Sequence, residues 1–406
     1  MKITGVVAEY NPFHMGHEYQ LKKARELSRC DGLAVVMSGN FVQRGEPAII
    51  DKFKRAETAI YGGADLVIEL PMPFSCQNAE MFSLAAINEL KKLPVTALSF
   101  GCESDNTLLL KKVAEAQLNS PIYNKMLKEE MKNGISYPNA LSNVLVSLLG
   151  DLAKEAIISP NNVLAVEYIK SMIKYNLNWD IVPVKRIGKD HNDKNLTGHY
   201  DSATAIRKGI LNDSCEYSCS LTPASIEMLD KFYEKHESFN KLNNYLDYLY
   251  YKIIDIGIDG LNDIYEVSEG LNNKIYTNIF KYDNIDDFIM ALKSKRYTYS
   301  KLRRMILNII LGITYDDIND FMLPYNQNYI KILAFNDVGK QIIKLAQNTG
   351  TVTINRYSDY RKNNIFADKL NVFKFTNKST DLFYLPFKNK EINQEYTQNA
   401  IYVKNK

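Results

Sequence analysis

Short apolar runs alternate with amphipathic stretches along the first half of the chain. The runs "ITGVVA", "LAVVMSG", "ADLVIELP" and "VTALSFG" are rich in Val, Ile and Leu, which is typical of strands buried on both faces. The segments between them, such as "EYQLKKAREL" and "KFKRAETAIYGG", carry apolar residues at helical spacing. Because strands that alternate with helices form parallel sheets with crossover connections, the pattern predicts an α/β fold.

The pattern continues with a helix, a strand and a short helix, and then it changes. "NNVLAVEYIKSMIKY" predicts a helix, "WDIVPVKRI" a strand, and "DSATAIRKGI" a short helix capped by Asp201 or Ser202. After about residue 213, long helical patterns such as "KLNNYLDYLYYKII" replace the alternation. We therefore predict an α/β domain over residues 1–212 and a mainly helical domain over residues 213–406. The pattern does not place the final stretch from "TVTINRY" onward.

Composition narrows the class of protein. The 406 residues are 46% hydrophobic and 24% charged, as in globular proteins, and the net charge of +3 does not by itself imply a nucleic-acid partner. No apolar run approaches the roughly 20 residues that span a bilayer, and the N-terminus lacks an export signal, so we expect a cytoplasmic protein without a membrane partner. The five cysteines form no C-x-x-C pair, and we expect no metal site.

Candidate chemistry lies in "EYNPFHMGHEYQ", where the first predicted strand gives way to the first predicted helix. Free backbone N–H groups and the positive end of the helix dipole make such a junction a site for phosphate. His14 and His17 are spaced to share one face of the helix start, and Gly16 allows a nucleotide to approach the backbone. This arrangement suits attack at the α-phosphate of ATP; the alternative is a pair of capping or core histidines.

The H-x-G-H spacing resembles the signature of the nucleotidyltransferase superfamily, which includes the class I aminoacyl-tRNA synthetases. Segments across most of the chain resemble the tRNA(Met) cytidine acetate ligase family, namely "VVAEYNPFHMGH", "VMSGNFVQRGEPA", "DLVIELP", "SPNNVLAVEY", "SATAIRK" and "KSKRYTYSKLRRM". The resemblance implies a Rossmann-like, parallel-sheet nucleotidyltransferase domain that binds ATP, followed by a mainly helical C-terminal domain that binds tRNA.

The same resemblance implies a reaction. The enzyme would form acetyl-adenylate from ATP and acetate and transfer the acetyl group to the wobble cytidine of elongator tRNA(Met). The products would be N(4)-acetylcytidine, AMP and pyrophosphate. Mg²⁺ would accompany ATP, held chiefly by the phosphates, and no obligate protein partner is expected.

Two other functions compete with this one. A nucleotidylyltransferase acting on a small phosphorylated metabolite would share the H-x-G-H motif, but it would leave the locally basic helical domain without a role. A noncatalytic RNA-binding protein that retains a nucleotide fold is the third possibility. Loss of His14 or His17 would favour it, and both are present.

The predicted site combines an ATP site, implied by the resemblance at matching positions, with three predicted catalytic residues. The ATP site comprises Val7, Ala8, Glu9, Tyr10, Asn11, Pro12, Phe13, His14, Met15, Gly16, His17, Glu18, Tyr19, Gln20, Gly101, Asn161 or Asn162, Arg186, Ile187, Ser202, Thr204 and Arg207. The catalytic residues are His14, His17 and Arg44.

Each of these residue types has a simpler alternative. Gly101 ends a predicted strand and leaves space for adenine or ribose, but it can also be an ordinary turn glycine. The two asparagines can bind a base or cap a helix. Arg186 can pair with phosphate or lie on the surface, and "SATAIR" resembles the second phosphate signature of the superfamily or a simple capped helix.

The segment "SGNFVQRGEPAIIDKFKR" follows the second predicted strand and is expected to contact acetate and cytidine. Asn40, Gln43 and Arg44 can reach the same crevice as the histidines, and Lys52 and Arg55 can extend its positive surface. The alternative is a polar loop leading into a helix with exposed cations. The polar loop around His191 and His199 is expected to shield acetyl-adenylate from water.

RNA recognition is expected in "KSKRYTYSKLRR" of the helical domain. The segment combines two tyrosines for unpaired bases with cations for phosphates, namely Lys293, Lys295, Arg296, Lys301, Arg303 and Arg304. The charge pattern alone favours a solvated helix over an RNA site, and it is the family resemblance that favours tRNA.

Overall fold

The computed structural model describes residues 1–103, 106–187, 198, 200–212, 214–268, 270–294, 297–322, 328–363 and 372–404. Within these ranges the strands are β1 (Ile3–Ala8), β2 (Gly32–Ser38), β3 (Phe41–Val42), β4 (Glu46–Pro47), β5 (Leu66–Leu70), β6 (Ala97–Cys102), β7 (Asp180–Lys185), β8 (Tyr329–Phe335), β9 (Val352–Ile354) and β10 (Ile401–Tyr402).

Helices separate these strands and form most of the second half of the chain. Those before residue 212 are α1 (Met15–Ser28), α2 (Lys52–Tyr61), α3 (Ala79–Lys91), α4 (Thr107–Asn119), α5 (Pro121–Lys132), α6 (Tyr137–Leu149), α7 (Glu155–Ile158), α8 (Pro160–Lys174) and α9 (Ala203–Leu211). Those after it are α10 (Pro223–His236), α11 (Leu246–Asp263), α12 (Leu271–Asn278), α13 (Ile285–Leu292), α14 (Tyr299–Leu311), α15 (Tyr315–Met322), α16 (Asp337–Asn348), α17 (Tyr357–Lys362), α18 (Val372–Tyr384) and α19 (Gln394–Thr397).

The main sheet has the strand order β10-β8-β5-β2-β1-β6-β7, and β9 pairs with β8. Strands β5, β2, β1, β6 and β7 are all parallel, whereas β8 is antiparallel to β5. The chain adds strands on one side of β1 as far as β5 and then crosses to β6 on the other side. The strand order therefore reverses at β1, and open α/β sheets bind ligands at such a reversal.

Alternate residues of the central strands enter different cores, because successive side chains of a strand point to opposite faces. In β2, Ala34 and Val36 belong to the core that also contains residues of α3 and α8. Leu33, Val35 and Met37 belong to a second core with residues of α1 and α2. Burial on both faces explains why the strand runs are almost continuously apolar.

The predicted α/β fold with a Rossmann-like parallel sheet and a helical C-terminal region is confirmed. The four apolar runs of the first half form β1, β2, β5 and β6, and "WDIVPVKRI" contains β7. The stretch that the pattern did not place returns to the sheet through β9 and β10, which both pair with β8, and β8 itself pairs with β5. The sheet thus takes strands from both sides of residue 212, and the division at that residue stays a prediction about domain organisation.

A cluster of buried charges corrects the expectation for Lys52. Its Nζ lies 2.6 Å from Oε1 of Glu69 and also contacts Glu395, and all three side chains are buried. Lys331 of β8 contacts both carboxylates as well. We call Lys52, Glu69, Lys331 and Glu395 the buried charge cluster. Lys52 joins α2 to β5 and α19 and contributes no exposed cation.

None of the helices in the described part of the chain is long and apolar enough to cross a membrane.

Candidate active site

A cleft of about 570 Å³ opens at the carboxyl ends of β1, β6 and β7. Its walls include Val7 and Ala8 of β1, Phe100 and Gly101 of β6, and Val184 of β7. The N-termini of α1 and α9 also line it, through Gly16 and Ala203. The cleft therefore lies where the strand order reverses, with two helix dipoles directed toward it.

The motif histidines cap helix α1 and also line the cleft. Nδ1 of His14 accepts a hydrogen bond from the Gly16 N–H at 3.1 Å, and Nδ1 of His17 accepts one from the His14 N–H at 3.3 Å. The two rings stack with their centroids 3.7 Å apart. A neutral imidazole that accepts at Nδ1 carries its proton on Nε2, so each ring has an Nε2–H group that can donate to an anion. Capping and ligand binding are thus compatible roles.

His17 is neutral in this environment. Burial, the neighbouring His14 and Arg186 hold the pKa of His17 well below its ordinary value of 6.5. A neutral ring still donates a hydrogen bond from Nε2. It also avoids the desolvation free energy that a buried imidazolium cation would cost.

Gly16 and Tyr10 fix the positions of the two rings. A Cβ at Gly16 would lie 2.9 Å from Cε1 of His14, so a side chain there would displace that ring. The Tyr10 ring meets the rings of Phe13 and His17 edge-on, each at 4.9 Å between centroids. The sequence predicted that Gly16 admits a nucleotide; the structure adds that glycine leaves room for His14.

Arg55 ties together the ends of β1 and β2 rather than extending the positive surface. Its side chain is fully buried and donates to the carbonyl oxygens of Glu9 at 2.5 Å, Ser38 at 3.2 Å and Ile50 at 3.1 Å, and also to that of Gly39. Burial lowers the pKa of Arg55 to about 10. The expectation of a solvent-facing cation is corrected, because these backbone carbonyls occupy the guanidinium group.

Four cations and two carboxylates, among the described residues, determine the charge of the cleft; Lys185 and Asp201 are two of them. Arg44, Arg186 and Arg207 line it together with Glu9. Oε1 of Glu9 accepts a hydrogen bond from the Gln43 N–H at 2.8 Å. Burial raises the pKa of Glu9, although Arg44 and the Gln43 N–H act in the opposite direction. The excess of guanidinium groups suits a polyphosphate.

Helix α9 connects the two predicted phosphate signatures. Ser202 caps the helix by accepting a hydrogen bond from the Ala205 N–H at 3.1 Å. Arg207 donates to the Asn11 carbonyl oxygen at 2.8 Å and pairs with Glu46 at 2.8 Å. Residues 9–20, which contain the H-x-G-H motif, are called the H-x-G-H segment. The side chain of Arg207 therefore connects this segment to α9 and to the β3–β4 hairpin.

The two adjacent asparagines at the start of α8 face different surroundings. Asn161 lines the cleft, and its Nδ2 donates to Oε1 of Glu103 at 2.5 Å. Asn162 is buried, and its Oδ1 accepts a hydrogen bond from the Glu103 N–H at 3.0 Å. Only Asn161 of the two has a place in the cleft wall, and Asn162 supports the turn that follows β6.

Most residues predicted for catalysis or ATP binding meet at the cleft. Those in its wall are Val7, Ala8, Glu9, Tyr10, Asn11, His14, Gly16, His17, Tyr19, Gln20, Arg44, Gly101, Asn161, Arg186, Ile187, Ser202 and Arg207. The others lie beside the wall, namely Pro12, Phe13, Met15, Glu18, Asn162 and Thr204. Their contact with ATP stays a prediction. The predicted shielding residues His191 and His199 lie outside the described residues.

The predicted RNA-binding cations have different surroundings. Lys293 is exposed, and Lys301 lies with its Nζ 5.1 Å from the centre of the Tyr297 ring. Arg303 is partly buried and pairs with Glu46 at 2.7 Å. Arg304 is buried and pairs with Glu266 at 2.9 Å, which corrects its expected place on a cationic surface. Lys295 and Arg296 lie outside the described residues.

Sequence reasoning missed several residues of the cleft wall. Ser300, in the first turn of α14, brings the helical region to the cleft. Four apolar side chains line another part of it, namely Phe82, Phe100, Leu164 and Tyr168. Apolar residues in a helix or strand give no signal of a ligand, because core packing requires the same residue types. Ser300 lies within "KSKRYTYSKLRRM", a segment already matched to the family.

A parallel sheet with an H-x-G-H helix start at its strand-order reversal defines a nucleotidyltransferase of the HxGH class. Residues 1–399 match the family model described as HIGH Nucleotidyl Transferase. The chain is 36% identical to a tRNA(Met) cytidine acetate ligase of Clostridium perfringens, over 94% of this chain and 97% of the relative. It is 38% identical to a protein of that name from a Thermoanaerobacter species, over 97% of both chains.

Solved structures agree with these relatives. The crystal structure of apo Thermotoga maritima TmcAL is 33% identical and covers 100% of both chains with a TM-score of 0.93. The structure of TmcAL bound with alpha-thio ATP has a TM-score of 0.90 at the same identity and coverage. The chain belongs to the tRNA(Met) cytidine acetate ligase family.

Proposed function

We propose that this protein activates acetate with ATP and transfers the acetyl group to the wobble cytidine of elongator tRNA(Met). Support comes from the full-length similarity to proteins named tRNA(Met) cytidine acetate ligase and from a solved neighbour that holds an ATP analogue. The single observation that carries the proposal is the pair of stacked imidazoles at the N-terminus of α1, inside a cleft lined by arginines.

In the first step, an acetate oxygen attacks the α-phosphorus of ATP, and the bond to pyrophosphate breaks. The Nε2–H groups of His14 and His17 and the N-terminal N–H groups of α1 donate to the phosphate oxygens as charge develops. Arg44, with Arg186 and Arg207, neutralises the carboxylate and the departing pyrophosphate. The protein acts mainly by positioning the reactants and stabilising charge.

In the second step, the exocyclic nitrogen of cytosine attacks the acetyl carbonyl carbon. The bond from that carbon to the AMP oxygen breaks, and the nitrogen loses a proton. Acetyl-adenylate reacts with water, so the intermediate must stay enclosed until the base arrives. Gln43 and Arg44 on the β3–β4 hairpin and Ser300 on α14 line the cleft, and the proposal assigns them to the approach of the base.

The ATP site is proposed to follow the cleft wall from Val7 to Gln20 and to include Gly101, Asn161, Arg186 and Ile187. Among the residues that the structure describes, no group of three or more His, Cys, Asp or Glu side chains could hold a metal ion. Mg²⁺ is proposed to accompany ATP, held chiefly by its phosphates, where it would neutralise charge on the leaving pyrophosphate.

The tRNA is proposed to bind the helical region of residues 213–406 beside α14. Lys293 and Lys301 supply cations there, and Ser300 connects the region to the cleft. No obligate protein partner is proposed. The cytoplasm is the proposed location because tRNA, ATP and acetate occur there together.

The test is incubation of the purified protein with ATP, Mg²⁺, labelled acetate and unmodified elongator tRNA(Met), followed by mass analysis of nucleosides. Labelled N(4)-acetylcytidine is expected from the intact protein. The His17→Ala variant should lose about 10²–10³-fold in rate, because it lacks one phosphate donor.

Acetate-dependent exchange of pyrophosphate into ATP tests the first step separately. Pyrophosphate exchange without acetylation of the RNA would support the adenylation step and refute cytidine as the acceptor. Release of pyrophosphate only with a small phosphorylated metabolite would replace the ligase by a nucleotidylyltransferase.

A further inference from the structure

Glu46 joins the cleft to the helical region through two ion pairs. Its Oε1 lies 2.8 Å from Arg207 of α9, and its Oε2 lies 2.7 Å from Arg303 of α14. All three side chains are largely buried, with 15% of Glu46, 17% of Arg207 and 21% of Arg303 exposed. Each carboxylate oxygen is therefore committed to a different arginine in a partly desolvated setting, where ion pairs hold geometry better than on the open surface.

Arg303 is held by its neighbours on α13 and α14. The Tyr299 ring lies under its guanidinium group at 4.6 Å, and Asp286 lies 3.4 Å from its second terminal nitrogen. The Coulomb interaction with Glu46 raises the pKa of Arg303 despite the opposing effect of its burial, which is the largest single influence. Arg303 thus connects α13 and α14 to Glu46 of the β3–β4 hairpin.

The backbone of the hairpin also packs against α14. Gly45 has a φ of +80° and lies at the turn between β3 and β4. A Cβ there would lie 2.4 Å from the Arg304 backbone nitrogen. The hairpin is therefore in close contact with the start of α14, and Arg44 at its tip lines the cleft.

We propose that Glu46 is a positioning residue that couples α14 to the ATP site by orienting Arg207. Arg303 holds one carboxylate oxygen, so the other oxygen stays directed at Arg207. Arg207 in turn donates to the Asn11 carbonyl oxygen within the H-x-G-H segment. The contacts themselves do not depend on the proposed function. Only the role given to the coupling rests on it, namely to link tRNA contact on the helical region to phosphate binding.

The test is a double-mutant cycle on ATP affinity, measured by calorimetry without tRNA. Glu46→Gln and Arg303→Gln should each weaken ATP binding by about three- to tenfold, although neither residue lines the cleft. The double variant should be no weaker than Glu46→Gln alone, because both changes break one chain of contacts. Arg303→Lys should restore part of the affinity, since it keeps a cation for Glu46.

Asp286→Asn is the matched control. It removes the other carboxylate partner of Arg303, which is 60% exposed, and leaves Glu46 unchanged. Its ATP affinity should equal that of the unaltered protein. The melting temperatures of all variants separate loss of stability from loss of orientation. If Arg303→Lys binds ATP more tightly than Arg303→Gln at the same melting temperature, the difference comes from orientation.

The coupling would be overturned if Arg303→Gln bound ATP as tightly as the unaltered protein. It would also be overturned if the fold-losses in ATP affinity of the two single variants multiplied in the double variant. If Glu46→Gln does not fold, the comparison of Arg303→Gln with Arg303→Lys decides the question. Failure of the proposed function has a different signature, namely normal ATP binding and an intact cycle without acetylation of tRNA.

Discussion

At the scale of single residues, His17 links stability to pH. Its pKa in the folded protein lies well below 6.5, chiefly because of burial. As pH falls from about 7 to 5, the unfolded chain gains a proton at His17 that the folded protein does not bind. The free energy of unfolding should therefore fall by up to about 1.4 kcal/mol per pH unit from this group.

Urea unfolding at a series of pH values between about 5 and 8 measures this contribution. The His17→Gln variant should show a shallower fall, because it lacks the titrating ring. Equal pH dependence in the two proteins would mean that His17 has the same pKa in the folded and unfolded states.

Gly101 offers a separate test of the ATP site. A Cβ there would lie 3.7 Å from Cγ of Arg186 and 4.0 Å from Cδ of Gln20, which are ordinary contact distances. Gly101→Val should therefore fold normally but fill part of the cleft, and ATP affinity should fall about tenfold, or about 1.4 kcal/mol. Calorimetry with ATP measures the affinity, and an unchanged melting temperature is the control. Unchanged ATP affinity would remove Gly101 from the site.

The sequence predicted the main contacts of the cleft but not the orientation of every side chain. His14 and His17 line the cleft as their spacing indicated, Arg44 as its position after the second strand indicated, and Arg207 as the family resemblance implied. Asn161 and Asn162 are adjacent on a helix, so they point about 100° apart, and only packing decides which one faces the ligand. That packing depends on Glu103, which is distant in sequence.

At the scale of elements, Arg55 determines how the ends of β1 and β2 meet. Its planar group serves several carbonyl oxygens in one buried site. Lysine carries the same charge but lacks the planar set of N–H donors of a guanidinium group. Arg55→Lys should therefore leave carbonyl oxygens unpaired and lower the free energy of unfolding by about 3 kcal/mol. Chemical denaturation measures the loss.

Arg25→Lys is the comparison for this prediction. Arg25 pairs instead with a carboxylate, that of Asp65 at 2.6 Å, and its side chain is 37% exposed. Its loss should be clearly smaller, because solvent screens the pair. Equal losses at the two positions would show that burial of Arg55 has no special effect.

Helix α2 shows where pattern reading fails for an element. Its cations occur in a helical pattern that is typical of a solvated face, yet Lys52 and Arg55 are both fully buried. Lys52 pairs with Glu395 of α19, in the stretch that the pattern could not place, and Arg55 donates to carbonyl oxygens at the ends of β1 and β2. Local periodicity identifies a helix, but the partners that neutralise its charges come from elsewhere in the chain.

At the scale of the whole molecule, the buried charge cluster holds the C-terminal part against the sheet. Glu395 contacts Lys52 and Lys331 and accepts a hydrogen bond from Thr380 at 2.8 Å. Glu395→Gln would leave two buried lysines with only Glu69. The free energy of unfolding should fall by about 3–5 kcal/mol, because a buried charge becomes uncompensated.

Denaturant unfolding measures this effect, and Glu26→Gln is the control. Glu26 pairs with Lys23 at the surface and is 45% exposed, so its loss should change stability little. A Glu395→Gln protein as stable as the original would show that the lysines lose their charges at no cost.

The sheet also shows why the sequence pattern did not predict the whole fold. The parallel strands of the first half follow directly from apolar runs separated by helices. The pairing of β8 with β5 is antiparallel and joins segments on opposite sides of the helical region. Such pairing leaves no local pattern, because its energy comes from contacts between residues far apart in the chain.

The late position of Glu395 has a consequence for synthesis on the ribosome. Glu395 follows Lys52 by 343 residues, which corresponds to roughly 20–70 seconds of translation at about 5–20 residues per second. Until then β8 lacks its partner strand β10, and Lys52 lacks its full set of counterions. A product that stops before Glu395 retains both defects, so cellular proteases are expected to recognise it as unfinished even though its H-x-G-H segment is complete.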